Sequence, residues 1–162
     1  MRTQKEILGL YEKYYEMVWR ICLVQLGNSH DAYDAVQETF FRLMGNAKTF
    51  HNEEHVKAWL IRVAINYCKD VKKSGFRKRE ISLNAEKPTE DGGVPEEYAE
   101  VYEAMMGLPK EHRVVLYLHY YEGYSLKEIA KMMKINPSTL RSRMSRAKEL
   151  MKQYLQDDAR RF

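Results

Sequence analysis

The chain has 162 residues, of which 44% are hydrophobic and 31% are charged, and its formal net charge is +4. This composition is typical of a folded globular protein and excludes wholesale disorder, while the length suffices for one ordinary domain or two small ones. No apolar run approaches the ~20 residues of a membrane span, and residues 1–7 lack the apolar core of an export signal.

The first apolar pattern has a period of 3.6 residues and predicts a helix from Ile7 to Gln25, ended by Gly27 and Asn28. A second helix follows, capped by Ser29 or Asp31 and ending near Gly45 and Asn46. Its predicted buried side chains are Ala32, Val36, Phe40 and Leu43.

A third helix is predicted to start at Asn52, because an asparagine oxygen caps free amides and the following Glu53 and Glu54 oppose the helix dipole. Its predicted core face consists of Val56, Trp59, Leu60, Val63, Tyr67 and Val71. Its polar stripe consists of Arg62, Asn66, Lys69, Lys73 and Arg77. We expect residues 1–77 to form one three-helix domain.

Residues 78–95 contain prolines, glycines and polar residues without a periodic apolar pattern, which is the composition of a flexible linker. Fully extended, 18 residues reach at most ~60 Å. Two domains joined in this way can contact well-separated parts of one partner.

Residues 96–162 predict a second helical domain. One helix ends at Gly107, and the next starts near Pro109 and runs to about Tyr121. Ser125 and Glu128 form a capping box that opens a short helix to Met133. A last helix starts at Asn136 and Pro137, and its predicted buried side chains are Leu140, Met144, Ala147, Met151 and Tyr154.

The two cysteines, Cys22 and Cys68, each lie among apolar residues at helical spacing. This setting favours buried free thiols over a disulfide or a metal pair. With no export signal and no membrane span in the sequence, we predict a cytoplasmic protein without membrane insertion.

Positive charge is concentrated in two short stretches. Lys69–Arg79 holds six basic residues against Asp70 alone, and Ser138–Lys152 holds five against Glu149 alone. Such clusters are typical of phosphate-binding surfaces, although solvated helix faces would explain the charges equally well.

The last two helices have helix-turn-helix spacing, because Ile129, Ala130, Ile135 and Leu140 are placed to meet across a short turn. The outer side of the final helix carries serines and arginines, which can contact base edges and phosphates in a major groove. A plain pair of packed helices would show the same apolar pattern, but less often this basic outer face. The pattern therefore favours DNA binding.

Aromatic residues are interleaved with the basic stripe of the third helix, a mixture that can stack on unpaired bases and hold their phosphates. Trp59 and Tyr67 lie on the predicted core face, which favours packing over stacking. Asn66 and Lys69 face outward and are the better candidates for nucleic-acid contacts.

One catalytic pattern is present, since residues 51–55 match the H-x-x-E-H spacing of a zinc protease class. That chemistry needs both His51 and His55 on one continuous helix, whereas Asn52 is the predicted helix cap. We therefore predict no metal site, no cofactor and no enzymatic activity.

Four segments resemble the extracytoplasmic-function (ECF) sigma factors of bacterial RNA polymerase. DAYDAVQETFFRL (31–43) and VKAWLIRVAINYCKD (56–70) resemble the polymerase-clamp and minus-ten signatures of that family. LPKEHRVVLYLHYYEGYSLKEIA (108–130) and STLRSRMSRAKELM (138–151) resemble its minus-thirty-five reader. The resemblance covers nearly the whole chain and implies an all-α fold of two small helical domains joined by a flexible linker, the second a helix-turn-helix domain.

The resemblance also implies roles for individual residues. The polymerase-binding residues would be Asp34, Gln37, Glu38 and Phe41. The minus-ten residues would be Phe50, His51, Asn52, Glu53, Glu54, Asn66, Lys69, Asp70 and Lys73. The minus-thirty-five residues would be Ser138, Thr139, Arg141, Ser142, Ser145 and Arg146. The implied partners are core RNA polymerase, promoter DNA and an anti-sigma protein.

Two positions depart from the family pattern. Lys134 stands where helix-turn-helix turns usually have glycine, and Ser138 replaces a frequent glycine at the start of the last helix. Two other functions remain as alternatives, a dimeric helix-turn-helix repressor and a hydrolase built on His51 and His55. The acidic face that contains Asp34 argues against the repressor.

Overall fold

The computed structural model describes residues 2–46, 49–74 and 99–160, with the backbone alone at 72–74, 99–101 and 157–160. Every regular element in these residues is a helix, as the sequence predicts. Contacts divide the chain into two units, Met1–Gly93 and Val94–Phe162. The predicted linker, 78–95, lies outside the described residues. No helix in the described parts of the chain is long and apolar enough to span a bilayer.

Helix α1 spans Gln4–Leu26 and begins with a capping box, in which Thr3 and Glu6 each bind the other's backbone amide. It ends at Gly27, which has a φ of 79° and donates its N–H to the Leu23 carbonyl at 2.8 Å. This left-handed conformation favours glycine, because a Cβ atom is strained there. The predicted end of the helix is confirmed.

Helix α2 spans Ser29–Gly45, and its four predicted core residues are all buried. Its N-cap is Asn28, whose Oδ1 accepts from the Asp31 amide at 2.8 Å. The predicted caps, Ser29 and Asp31, were wrong. Asn28 has an extended backbone, with φ −145° and ψ 148°, so its side chain reaches the free amides of the first turn.

Helix α3 spans Glu53–Ser74, and Asn52 caps it as predicted by accepting from the His55 amide at 2.9 Å. Its buried side chains are Val56, Leu60, Ile61, Ala64, Ile65 and Cys68. The predicted core residues Trp59, Val63, Tyr67 and Val71 are only half-buried. The prediction was therefore wrong in rotation, because α3 turns its 61, 65 and 68 positions toward the core.

Both cysteines lie in this core. Cys22 on α1 and Cys68 on α3 are free and fully buried, as the sequence predicts. A hydrogen bond with Cys68, together with burial, raises the pKa of the Cys22 thiol well above its usual value. A thiol held protonated in this way acts as a small apolar side chain.

The second unit begins with α4 (Ala99–Met106) and α5 (Lys110–Leu116). The sequence predicts that the second of these continues to Tyr121. Instead the α-helix stops at Leu116, and Tyr117–Tyr121 form a π-helical turn in which the Glu122 amide donates to the Tyr117 carbonyl at 3.2 Å. Gly123, with a φ of 79°, ends the segment.

Helices α6 (Leu126–Met133) and α7 (Pro137–Arg160) form the helix-turn-helix. The predicted capping box is confirmed, because Ser125 and Glu128 exchange two hydrogen bonds of 3.1 and 3.2 Å. The two helices pack through buried residues that include Ile129, Ala130 and Leu140.

Two core predictions for α7 were wrong. Leu140, Met144 and Ala147 are buried, but Met151 is only half-buried and Tyr154 is 42% exposed. The Tyr154 ring lies against Gly107, which has no side chain to enclose it. The apolar face of α7 is therefore no longer covered by other residues toward the end of the helix.

The turn residue Lys134 has φ 53° and ψ 47°, and it is the one non-glycine residue with a positive φ in the described parts of the chain. A left-handed conformation costs an L-residue ~1–2 kcal/mol. This cost exceeds the free energy that a glycine loses through its extra conformational entropy on folding. Lys134→Gly should therefore raise the free energy of unfolding of the second unit by about 0.5–1 kcal/mol.

Urea denaturation of the full chain, followed by helical circular dichroism, checks this prediction. The matched control is Lys131→Gly, at an exposed position inside α6, which should destabilise by about 1 kcal/mol. Tryptophan fluorescence reports only the first unit, since both tryptophans, Trp19 and Trp59, lie there. A shift of the fluorescence transition, or destabilisation by Lys134→Gly, would contradict the argument.

Candidate protein and nucleic-acid interfaces

A groove of about 840 Å³ runs between the N-terminal half of α1 and the outer face of α2. We call it the α1–α2 groove. Its apolar walls include Leu8, Phe41 and Met44, which are 57%, 68% and 54% exposed. Three large side chains this exposed and this close together form an apolar patch, which marks an interaction surface on a soluble protein.

Polar groups of α2 line the other side of the α1–α2 groove. Gln37 donates to the Tyr11 hydroxyl at 3.4 Å, and Glu38 accepts from Arg42 Nε at 3.1 Å. Asp34 is exposed and lies 3.7 Å from His30. The groove therefore combines an apolar wall with acidic and amide groups that neighbouring side chains hold in place.

The structure brings all four predicted polymerase-binding residues into this groove, since Asp34, Gln37, Glu38 and Phe41 all line it. Sequence reasoning missed Leu8 and Met44. Both are apolar residues on the exposed side of their helices, a position that a search for buried stripes passes over.

A second cleft, of about 620 Å³, lies between α1 and the segment that connects α2 to α3. We call it the loop cleft. Its wall includes Phe50, over whose ring the Arg2 guanidinium lies at 4.4 Å from the centroid. The His55 and Trp59 rings contact the Phe50 ring in edge-to-face arrangements, at centroid distances of 5.2 and 5.8 Å.

The predicted minus-ten residues that follow Phe50 are exposed and lie at the start of α3. His51 donates its amide to His55 Nδ1 at 3.3 Å, and the two imidazole rings stack at 5.6 Å. Glu53 pairs with Lys13, a hydrogen bond that raises the pKa of the lysine. Glu54 is exposed on the first turn.

The same geometry removes the zinc-protease interpretation of His51 and His55. Helix α3 begins at Glu53, so His51 precedes the helix and only His55 lies on it. The H-x-x-E-H chemistry requires both histidines on one helix. Here His51 and His55 contact each other, and His55 also packs against Phe50 of the connecting segment.

The remaining minus-ten residues lie far along α3. Asn66, Lys69 and Asp70 are exposed, and the side chain of Lys73 is outside the described residues. With a rise of 1.5 Å per residue, Asn66 lies ~20 Å from Glu53 along the helix axis. The structure therefore places the predicted residues at the two ends of α3 and does not gather them into one cluster.

Two residues that sequence reasoning did not assign connect these ends. By the helical period, His55 and Arg62 share the outer face of α3 with Asn66 and Lys69. Arg62 is exposed and His55 is half-buried against Phe50. Together these four residues form a row of aromatic, polar and basic side chains along α3, which we call the α3 strip.

All six predicted minus-thirty-five residues are exposed on α7, opposite its buried stripe. Asn136 begins the helix by accepting from the Ser138 amide at 2.9 Å. Arg141 lies in the second turn, whereas Arg146 lies ~7.5 Å further along the axis and pairs with Glu149 at 3.7 Å. The exposed face thus presents hydroxyls and guanidinium groups over more than one turn.

Family models match two long segments of the chain in the order of its two units. The model for sigma-70 region 2 matches residues 10–79, and the model for sigma-70 region 4 matches residues 98–151. The α1–α2 groove and the α3 strip fall within the first match or extend slightly before it. The helix-turn-helix falls within the second.

Curated relatives align along nearly the whole chain. The ECF RNA polymerase sigma factor SigW of Bacillus subtilis is 27% identical, over 95% of this chain and 91% of its own. The ECF RNA polymerase sigma factor SigL of Mycobacterium tuberculosis is 28% identical, over 92% and 88%. Among solved structures, the sigma factor RpoE of Bartonella quintana, crystallised with the anti-sigma factor NepR, has a similar fold. Its TM-score is 0.71 at 21% identity, covering 94% of this chain and 98% of that one.

Proposed function

The chain belongs to the ECF sigma factors of bacterial RNA polymerase, and we propose how its described surfaces divide promoter recognition and transcription initiation among themselves. The observation that carries the proposal is the order of two exposed, chemically different surfaces in the first unit, followed by a basic helix-turn-helix in the second. Each surface suits one of the three ligands of a sigma factor: core polymerase, unpaired promoter DNA and duplex promoter DNA.

The proposal as a whole has a direct test. Purified protein is mixed with core RNA polymerase, and transcript starts are mapped across the genome, against core polymerase alone. We expect a set of new starts that share two upstream sequence elements. A dimeric repressor would instead bind DNA without polymerase and create no start sites.

We propose that the α1–α2 groove binds core polymerase. Its exposed Leu8, Phe41 and Met44 supply apolar area, while Asp34 and Glu38 supply negative charge. Such a surface suits a partner helix that is apolar on one face and basic at its edges. The family resemblance identifies that partner as the coiled coil of the polymerase clamp.

Replacing both Gln37 and Glu38 by lysine should abolish copurification with core polymerase. The change adds two positive charges and removes one negative charge where a basic partner docks, and like charges at an interface cost several kcal/mol. Helical circular dichroism should stay unchanged, because both side chains are on the surface. The control is Glu111→Lys, an exposed acid of α5 outside the groove. Retained binding by the double variant would remove the groove from the proposal.

We propose that the minus-ten element binds along the α3 strip as a single strand. The aromatic cluster of Phe50, His55 and Trp59 at the start of α3 would hold a base extruded from the stack. The part of the strip from Arg62 to Lys69 would follow the DNA backbone. The strip is ~20 Å long, enough for roughly six nucleotides at 3.4 Å per stacked base. Extrusion of a base costs a few kcal/mol, which pocket contacts must offset.

We propose that α7 reads the minus-thirty-five element from the major groove. Residues near the N-terminal end of such a helix contact base edges, and residues further along meet the backbone. Arg141 lies in the second turn, whereas Arg146 lies later on the helix and forms an ion pair with Glu149. The two arginines should therefore have different roles.

Arg141→Ala should lose ~1–3 kcal/mol of binding at one upstream base pair only, as expected for a guanidinium that contacts a guanine with two hydrogen bonds. Arg146→Ala should weaken all upstream sequences alike and reduce the salt dependence by about one phosphate contact. Titrations on single-base variants of a mapped minus-thirty-five element, at two salt concentrations, measure both. Uniform weakening by Arg141→Ala would contradict the assignment.

We propose that residues 1–77 and 96–162 are separate domains and that 78–95 is the linker between them. The described helices of the two units fall within these limits. Limited trypsin digestion of the full chain should cut first between 78 and 95 and leave two fragments that retain their helical circular dichroism. Loss of helix in either fragment on cleavage would show that the division is wrong.

Finally, we propose that the protein acts in the cytoplasm by binding alone, without catalysis, and that an anti-sigma protein restrains it. The chemistry of its described surfaces is that of docking, because their residues suit an apolar helix, unpaired bases and phosphates. The similar RpoE structure was solved with the anti-sigma factor NepR, which supports a partner of that class here. Affinity capture from the native host, with the Gln37, Glu38 double variant beside the wild type, would identify it.

A further inference from the structure

Arg2 contacts the segment between α2 and α3 at two points. Its Nη1 donates to the Asn46 carbonyl at 2.6 Å, directly after α2. Its guanidinium lies over the Phe50 ring, 4.4 Å from the centroid and shortly before α3. One side chain thus ties together two points of the segment that bears the proposed base-capturing residues.

The chemistry of these two contacts favours arginine over lysine. A planar guanidinium stacks on an aromatic face while its edge still donates hydrogen bonds in the same plane. An ammonium group is a compact point charge on a flexible stem, so it does not satisfy both contacts in this way. The geometry therefore uses the shape of Arg2 as well as its charge.

Phe50 is held from other directions by α3 itself. The ring meets His55 at an interplanar angle of 89° and Trp59 at 65°, both edge to face. The Arg2 guanidinium and these two rings thus give the Phe50 ring three contacts that hold its orientation. Of these three contacts, the one from Arg2 comes from the residues just before α1.

The loop cleft beside Phe50 has the size for one nucleotide. Its volume of about 620 Å³ falls within the ~300–1,000 Å³ of typical small-molecule sites. On its far side Lys13 pairs with Glu53, a second connection from α1 to the start of α3. Two cations that border the cleft, Arg2 just before α1 and Lys13 on α1, are thus already engaged with protein groups.

We infer that Arg2 is a positioning residue for minus-ten recognition: it holds Phe50 and the Asn46 carbonyl so that the loop cleft accepts one extruded base. This inference rests on the proposed minus-ten role of Phe50 and of the residues that follow it. It assigns Arg2 an action through the loop, in contrast to a direct contact with a DNA phosphate.

The test uses holoenzyme assembled from core polymerase and the full-length protein. Each holoenzyme selects from a pool of single-stranded DNA that is randomised across a minus-ten tract, and base enrichment is read by sequencing. The variants are Arg2→Ala, Arg2→Lys and Phe50→Ala, and the control is Lys152→Ala, an exposed cation of α7 that does not line the loop cleft. Titration of the selected strand at two salt concentrations gives the salt slope.

We expect Arg2→Ala to reduce enrichment of the preferred base at one position by about five- to tenfold, as loss of a cation–π contact and a hydrogen bond that order the loop would do. The salt slope should stay unchanged, and Arg2→Lys should not restore the enrichment. Lys152→Ala should enrich the same base as the wild type. Because enrichment compares bases within one variant, a change in affinity for core polymerase cancels.

Three outcomes would overturn the inference. Full recovery by Arg2→Lys, with a salt slope lowered by about one contact in Arg2→Ala, would make Arg2 a phosphate ligand. Loss of enrichment by Phe50→Ala but not by Arg2→Ala would refute the role of Arg2 alone. Unchanged enrichment in both would refute the minus-ten assignment of the loop as well.

An unaltered unfolding midpoint by tryptophan fluorescence, which Trp59 on α3 reports, excludes misfolding as the cause.

Discussion

The second half of α1 is enclosed by protein on nearly every side, and the other elements of the first unit take their positions from it. From Met17 to Gln25 only Arg20 keeps partial exposure. Both α2 and α3 pack against α1 and against each other. Burial of a valine, leucine or isoleucine stabilises a fold by ~1.5–3 kcal/mol, so this segment fixes the rotation of all three helices. The outward faces of α2 and α3, which carry the binding residues, are consequently oriented by a core that contacts no ligand.

Local chemistry made much of the fold predictable. The end of α1 at Gly27, the cap at Asn52 and the box at Ser125 each depend on hydrogen bonds within a few residues, and each was found in the sequence. The rotation of α3 was not predictable in this way. The helix carries two neighbouring apolar stripes, one through Trp59 and Tyr67 and one through the 61, 65 and 68 positions. Only the packing of α3 against α1 and α2 decides which of them is buried.

In the second unit, too, one element could not be predicted from the local sequence. Tyr117–Tyr121 widen into a π-helical turn, although the sequence there reads as an ordinary helix. The turn is supported by the stacking of Tyr117 on Tyr121 at 5.0 Å and by a hydrogen bond of 2.7 Å between His119 Nδ1 and the Tyr124 carbonyl. Such turns depend on the tertiary position of the following segment, here the start of α6, and often occur near functional sites.

The binding residues, too, differ in whether a local sequence pattern predicts that they meet. Asp34, Gln37, Glu38 and Phe41 lie within eight residues on one helix, so their convergence follows from helical periodicity. Arg2 is 48 positions from Phe50, and no local pattern indicates their contact. Arg2 also borders both the α1–α2 groove and the loop cleft, whereas Lys13 borders only the latter. The residues just before α1 therefore belong to two surfaces at once. The effects of a substitution at Arg2 on core binding and on base selection have to be measured separately, whereas a substitution at Lys13 concerns the loop cleft alone.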